Sequence, residues 1–343
     1  MKRLFCLFCC LMVLGACTPS ATAERYTASF QDVFDTASQL VIYTDTQEKA
    51  TGLARRIYAE LLWYHKLFDQ YNDWPEVTGI YEVNEKAAVS PVPVEPELFE
   101  MLVFAKEMYN LTGGKTNIAM GSVLRLWHQA REDGLEHPES AYLPAMDTLQ
   151  EAAAHTDPAQ LILDEINQTV YFGDPAMKLD VGAIAKGYAV EQVALHLEEE
   201  GVSGLLLSIG GNVRAVGVRP DGTSFPVGVQ NPERNAENQH IAILTLNNAS
   251  LVTSGSYQRF YTVNEKQYHH IIDPLTLMPA NYSWAVSVVT KDSGLADALS
   301  TALFNMPVEE GMALIRTLPD TEALWVHLDG TLKMTEGLSK LLY

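Results

Sequence analysis

Leu205-Leu206-Leu207-Ser208-Ile209-Gly210-Gly211-Asn212-Val213-Arg214-Ala215-Val216-Gly217-Val218 is the stretch on which the fold turns. Two short apolar runs, Leu205–Ile209 and Val213–Val218, flank a Gly-Gly-Asn step. Gly and Asn supply the positive φ that a tight hairpin needs. Strands joined this closely pair antiparallel, since a parallel neighbour requires a crossover of a dozen residues or more. Working outward, Ala185–Glu200 reads as a helix closed by a left-handed cap at Gly201. Before it come the short runs Leu161–Leu163 and Thr169–Phe172; after it come Ile241–Leu246, Arg259–Val263, Ala285–Thr290 and Ala323–His327. Two further helices are predicted over Ser293–Asn305 and Val308–Thr317.

Toward the N-terminus, Ser29–Asp45 reads as one strand with Leu40–Tyr43 as its apolar centre. Thr46–Tyr71 reads as an amphipathic helix, with Leu53, Ile57 and Leu61 on one face. Pro96–Leu111 reads as another, with Pro at its first position and Gly113-Gly114 past its end. Strands do not alternate strictly with helices, so the expected class is α+β. Its sheets should be mixed or largely antiparallel, with helices packed on them.

The extreme N-terminus carries an address. Lys2 and Arg3 precede an apolar run, Leu4–Gly15, that is too short to span a bilayer. It ends Leu14-Gly15-Ala16-Cys17, the pattern of a bacterial lipoprotein signal. Residues 1–16 are therefore expected as a signal peptide, Cys17 as a lipidated N-terminus and residues 17–28 as a tether. Residues 29–343 would form one domain of two intertwined lobes. The expected location is extracytoplasmic, anchored by lipid to the bacterial cell membrane. No cysteine follows Cys17, which excludes a disulfide, a thiolate metal site and a cysteine nucleophile from the mature domain. The net charge is −20, and removal of Lys2 and Arg3 makes it −22. So acidic a chain repels nucleic acid. A phosphate-bearing ligand would need local help, most simply a divalent cation.

Four segments carry candidate chemistry. In Ala296-Asp297-Ala298-Leu299-Ser300-Thr301, Asp297 and Thr301 lie four apart on a helix and share a face. A carboxylate and a hydroxyl so placed suit a hard cation, or simply solvent and a helix back-bond. In Leu179–Ala189 a strand end passes through a glycine turn into a helix, a geometry that suits anions and is also an ordinary connection. Thr253-Ser254-Gly255-Ser256-Tyr257 precedes Tyr268-His269-His270-Ile271-Ile272-Asp273-Pro274. There a histidine beside a carboxylate could do acid–base work or serve structure alone.

Taken together and in order, these segments resemble the ApbE family, the FAD:protein FMN transferases. The resemblance runs from about Phe34 to about Met306 and includes the Phe68–Asn72 segment, Asn117–Gly121, Leu179–Ala189, Ile209–Gly217, Val252–Tyr257, His270–Pro274 and Ala296–Phe304. It implies an ApbE-like fold and an Mg2+-dependent enzyme. That enzyme would move FMN from FAD onto a Ser or Thr hydroxyl of an acceptor flavoprotein and release AMP. By position it implies Asp297, Thr301, the Ala183 carbonyl and Ser300 as Mg2+ ligands, and His270 as the catalytic histidine, with Asp273 as a partner that could orient it. Phe34, Tyr71, Ala119, Met120, Gly121, Asp180, Lys186, Ile271 and Ile272 would contact FAD. The chain departs from the family pattern at Asn117, Ala119 and Leu277, the last standing where many members have glycine. An FAD pyrophosphatase, a flavin-binding surface lipoprotein without catalysis, and a structural envelope lipoprotein remain as alternatives.

Overall fold

Leu40–Tyr43 lies in the second strand of a hairpin, not in the middle of one long strand. The structure, a computed structural model, describes residues 23–233 and 235–343. The signal peptide and Cys17 lie outside them. Strands β1 (Glu24–Val33) and β2 (Thr36–Thr44) pair antiparallel around Phe34-Asp35, whose φ angles are 54° and 49°. Asp35 is the one residue here that turn chemistry favours; with Phe34 beside it at positive φ and no glycine, the turn is weakly marked. Because β1 begins at Glu24, residues 24–28 belong to the sheet and not to a tether: Glu24 pairs with Thr44 and Ala28 with Leu40.

Helix α1 (Gln47–Phe68) starts where the Thr46 hydroxyl accepts the Lys49 amide at 3.3 Å. It buries Ile57, Leu61, Tyr64, Leu67 and Phe68. Next come α2 (Ile80–Lys86), β3 (Val92–Pro93), α3 (Pro96–Leu111), α4 (Gly121–Glu136) and α5 (Met146–Ala153). Strands β4 (Leu161–Asp164) and β5 (Thr169–Phe172) join β3 in a small sheet. Helix α6 (Ala185–Glu199) leads to β6 (Leu205–Ile209) and β7 (Asn212–Val216). These two form the expected antiparallel hairpin, with Gly210 and Gly211 at φ 55° and 93°. The chain continues through β8 (Phe225–Gln230), β9 (His240–Leu246), β10 (Ser250–Gly255), β11 (Phe260–Val263), β12 (Lys266–His269) and β13 (Ala285–Thr290). It ends with α7 (Ser293–Phe304), α8 (Val308–Ile315), β14 (Glu322–Val326) and β15 (Leu332–Met334).

The main sheet has eight strands in the order β1-β2-β6-β7-β10-β13-β14-β15, all neighbours antiparallel. The α+β, largely antiparallel expectation holds. Strand β13 is buried along its whole length because both faces are covered. Val286 and Val288 pack with Leu299, Leu303 and Phe304 of α7 on one side. Ala285 and Val289 pack with Phe225, Val227 and Leu244 of the β8–β9 hairpin on the other. Helix α7 is thus wedged between the sheet and α6, and that position sets the site.

Candidate active site

A single cleft gathers most of the residues singled out from the sequence. It is lined by Met120, Asp180, Ala183, Lys186, His270, Ile271, Ile272, Asp297 and Thr301, drawn from segments far apart in the chain. Its open space is ≈ 1500 Å³, solvent at the mouth included.

Asp292 caps α7 by accepting the Leu295 amide at 3.0 Å, which brings Asp297 against the start of α6. There Asp297 Oδ2 accepts the Gly187 amide at 2.8 Å and Asn212 Nδ2 at 3.1 Å. Desolvation by burial raises the pKa of this carboxyl, opposed by the Lys186 charge and these two bonds. It has no ion-pair partner among the described residues. The Gly187 amide, four residues beyond Ala183, would in a regular helix serve the Ala183 carbonyl. It serves Asp297 instead, and Tyr188 bonds Ile184. The Ala183 oxygen therefore keeps its acceptor capacity at the cleft wall.

These donors fit a hard cation. One buried carboxylate without a counter-ion, a threonine hydroxyl one helical turn on and a spare carbonyl offer oxygen only. No group of three or more His, Cys, Asp or Glu suited to a metal occurs among the described residues. The oxygen-only set suits Mg2+, which commonly completes its octahedron with water and substrate phosphate, better than zinc. Ser300 does not belong to the set. It is fully buried, donates to the Asp297 carbonyl at 3.0 Å and pairs with Ser254 Oγ at 2.8 Å. Ser300 itself does not line the cleft; it sits behind Ser254, which does and which also lies 3.5 Å from the Thr301 hydroxyl.

His270 follows β12, and its ring is reached by solvent through the cleft mouth. Its Nδ1 lies 3.2 Å from the Arg259 carbonyl. A carbonyl only accepts, so Nδ1 carries the proton and Nε2 is the free base of the neutral ring. Desolvation by the enclosing walls, and then the Arg259 cation, hold its pKa well below the ordinary histidine value. The partner expected for it, Asp273, is engaged elsewhere. That carboxylate is buried, pairs with Lys115 at 3.3 Å and accepts the Leu275 amide at 3.0 Å and the Tyr282 hydroxyl at 3.2 Å. Asp273 shapes the turn after the histidine; the main chain orients the ring.

The remaining positions divide. Asp180 accepts Gln70 Nε2 at 2.8 Å and the Gly182 amide at 2.9 Å, so its carboxylate braces the turn into α6. Lys186 rests on the Gly182 carbonyl at 3.3 Å. Tyr71 stacks on His128 of α4 at 4.6 Å between ring centroids, and His128 lines the cleft. The loop bearing Tyr71 is pinned by Asp69, which accepts the amides of Tyr71 and Asn72 and the Trp74 indole. Phe34 is not on the cleft wall: its amide donates to His65 Nδ1 at 3.2 Å and its ring meets the His65 ring edge-on. Ala119 is buried in the core, and Gly121 packs on Lys178, whose carbonyl would lie 2.5 Å from an added Cβ. Only Met120 of that trio faces the cleft. Leu277 occupies a left-handed position, φ 60°, a conformation that glycine adopts without strain. Here its buried side chain and the bond from Trp127 Nε1 to its carbonyl, 3.0 Å, hold the strain.

Sequence reasoning missed Lys115, Arg131 and Arg259, which with Lys186 set four cations against Asp180 and Asp297 on the cleft walls. Basic residues are scarce in this chain, 23 against 43 acidic, so their convergence is informative, but it exists only in the fold. It also supplies, without any metal, part of the local help a phosphate needs. Helix α4, which carries Trp127, His128 and Arg131, was legible in principle from Val123, Trp127 and Ala130 on one face.

Comparison with known proteins follows the same lines. The sequence profile described as the ApbE family matches residues 34–325. An FAD:protein FMN transferase of Klebsiella pneumoniae is 34% identical over 280 residues, 80% of this chain and 82% of that protein. One of Treponema pallidum is 28% identical over 350 residues, 98% and 94% of the two chains. The crystal structure of an ApbE protein from Thermotoga maritima superposes with a TM-score of 0.81 at 25% identity, covering 93% of this chain and 100% of that one. The flavin transferase ApbE from Vibrio cholerae has the same fold, with a TM-score of 0.76 at 24% identity over 93% and 100% of the chains.

Proposed function

The chain belongs to the ApbE family, and from that premise we propose that it is an FAD:protein FMN transferase that uses Mg2+, acts on a Ser or Thr hydroxyl of an acceptor flavoprotein and releases AMP. One observation carries the reading. Asp297, Thr301 and the unused Ala183 carbonyl share a cleft with a neutral, main-chain-oriented His270 and four cationic side chains.

Asp297, Thr301 and the Ala183 oxygen would hold Mg2+, which when bound to the diphosphate of FAD supplies Lewis-acid polarisation. His270 Nε2 takes the proton of the acceptor hydroxyl as its oxygen attacks the FMN-side phosphorus. The bond from that phosphorus to the bridging oxygen breaks, and AMP departs with the bridging oxygen and its electron pair. Lys186 lies close enough to act electrostatically on both Asp297 and His270, and offsets anionic charge at the cleft. Tyr71, braced by His128, offers a flat face to a ring of FAD.

The test is incubation with FAD, MgCl2 and a threonine-containing acceptor protein. The expected result is a denaturation-resistant fluorescent acceptor, AMP in equal amount and loss of both in EDTA. AMP and FMN formed at the same rate without acceptor would make the protein a pyrophosphatase. FAD bound with no AMP released would make it a binding lipoprotein. We further propose acylation of Cys17, which places the enzyme on the outer side of the cell membrane. Detergent-phase partitioning lost in Cys17→Ala is the expected outcome.

A further inference from the structure

We propose that Arg259 is a catalytic residue of this cleft, its guanidinium binding the phosphoryl oxygens of the dinucleotide as the acceptor hydroxyl attacks. The inference rests on the transferase reading and assigns a charge-stabilising group that this reading leaves open. Three observations support it.

The first is position. Arg259 stands one residue before β11, and its carbonyl receives both the His270 amide and His270 Nδ1, each at 3.2 Å. The side chain and the base therefore grow from one hydrogen-bonded pair, just beyond the ladder that joins Phe260 to His269. Both side chains line the cleft. The Arg259 cation is already felt at the imidazole, whose proton affinity it lowers.

The second is unspent charge. Of the four cations on the cleft walls, Lys115 is paired with Asp273 at 3.3 Å and Arg131 with Glu132 at 2.9 Å. Arg259 and Lys186 have no carboxylate partner among the described residues; each rests on a backbone carbonyl.

The third is donor capacity. A guanidinium has five N–H groups in a planar fork that matches phosphate oxygens. Among the described residues one is used, Nη2 to the Asp35 carbonyl at 3.2 Å, in the β1–β2 turn at the edge of the cleft. A single neutral acceptor holds the side chain across the opening and leaves the rest of the fork for an anion.

The chemistry requires such a group. The FAD diphosphate carries two negative charges, the diester product one and AMP two, while the proton leaves on His270. Charge therefore concentrates on the transferring and departing phosphates as the bridging bond breaks. A preorganised donor aimed at those oxygens contributes about 10²–10³-fold in rate.

The experiment compares wild type with Arg259→Gln, Arg259→Lys and Arg259→Ala at saturating FAD and MgCl2, with a threonine-containing acceptor protein. The expected result is a loss of about 10²–10³-fold in kcat for Gln and Ala, a smaller loss for Lys, and a change in FAD affinity below tenfold. Added guanidinium chloride at millimolar concentration should restore part of the Ala variant's rate. If the arginine merely ties down the Asp35 turn, the loss appears in FAD affinity and melting temperature, guanidinium restores nothing, and the proposal fails. Wild-type kcat in Arg259→Gln also overturns it. Absence of transfer by the wild-type enzyme overturns instead the reading on which the proposal rests.

Discussion

The amide of Gly187 donates to Oδ2 of Asp297 at 2.8 Å, and a Cβ added at Gly187 would lie 2.4 Å from the Cβ of Asp297 and 2.3 Å from the Ser293 carbonyl. Helices α6 and α7 touch here backbone to backbone. The contact aims the carboxylate and, by diverting one helical amide, leaves the Ala183 carbonyl open.

Gly187→Ala should therefore act on the site through the helix contact. Overpacking of this kind costs about 1–3 kcal/mol, and the two helices must part at the proposed ligands. The expected outcome is a lower urea midpoint together with a weaker apparent affinity for Mg2+ in the flavin-transfer assay. An unchanged Mg2+ dependence would show that the contact does not shape the site.

Asp297→Asn should abolish Mg2+-dependent transfer without loss of stability. Burial raises the carboxyl pKa in the folded state. The charge therefore opposes folding, by an amount that grows as pH rises from the unfolded pKa to the folded one and stays constant above it. At pH 7 without metal, the Asn variant should melt no lower than wild type, because Asn212 and Gly187 can still donate to its carbonyl oxygen. Mg2+ with FAD should raise the wild-type melting temperature and leave the variant's unchanged. A variant that melts well below wild type would mean that the charged carboxylate stabilises the fold rather than opposing it.

Ser300→Ala and Thr301→Val should separate two adjacent hydroxyls. Ser300 bonds within the protein, so its loss should cost about 1 kcal/mol in stability and change Mg2+ dependence little. Thr301 lines the cleft, and its replacement should raise the Mg2+ concentration needed for half-maximal rate tenfold or more. Titrating MgCl2 at fixed FAD gives both answers; equal effects would return Ser300 to the metal.

His270→Gln should keep FAD binding and lose transfer by about 10²–10⁴-fold. The desolvated ring, facing Arg259, Lys186 and His269, has a depressed pKa and is neutral at physiological pH. Its charge should thus appear only well below pH 6.5. Histidine NMR between pH 5.5 and 8 should show no titration in the resonance that this substitution removes. A midpoint near 6.5 in that resonance would contradict the desolvated cleft.

Arg214→Met should destabilise the fold by about 3–5 kcal/mol. The guanidinium is fully buried and binds Glu191 at 3.0 Å and Glu198 at 2.6 Å. Glu191 also accepts the Ser293 amide at 2.7 Å, tying β7 and α6 to the start of α7. Adding Glu191→Gln should recover part of the loss, since it removes the stranded charge. Chemical denaturation of the single and double variants measures both.

The sequence by itself determined the elements whose causes are local. The Gly-Gly-Asn turn, the Thr46 and Asp292 caps and the spacing of Ile57 and Leu61 each act within a few residues. They make the 205–218 hairpin, α1 and α7 legible in the chain alone. Asp297, Thr301 and His270 are legible because their segments keep a family pattern. What the chain does not announce is non-local or unmarked. The Phe34-Asp35 turn carries no glycine and puts a phenylalanine at positive φ, so β1 and β2 read as one strand. Asp273 follows His270 by three residues yet answers to Lys115, 158 positions away. Ser300 neighbours Thr301 but points to Ser254. Only the tertiary structure decided which side chains share the cleft. Hydrogen bonds and cation convergence between distant segments depend on how helices and sheet pack, and no local pattern encodes which face of α7 the sheet will cover.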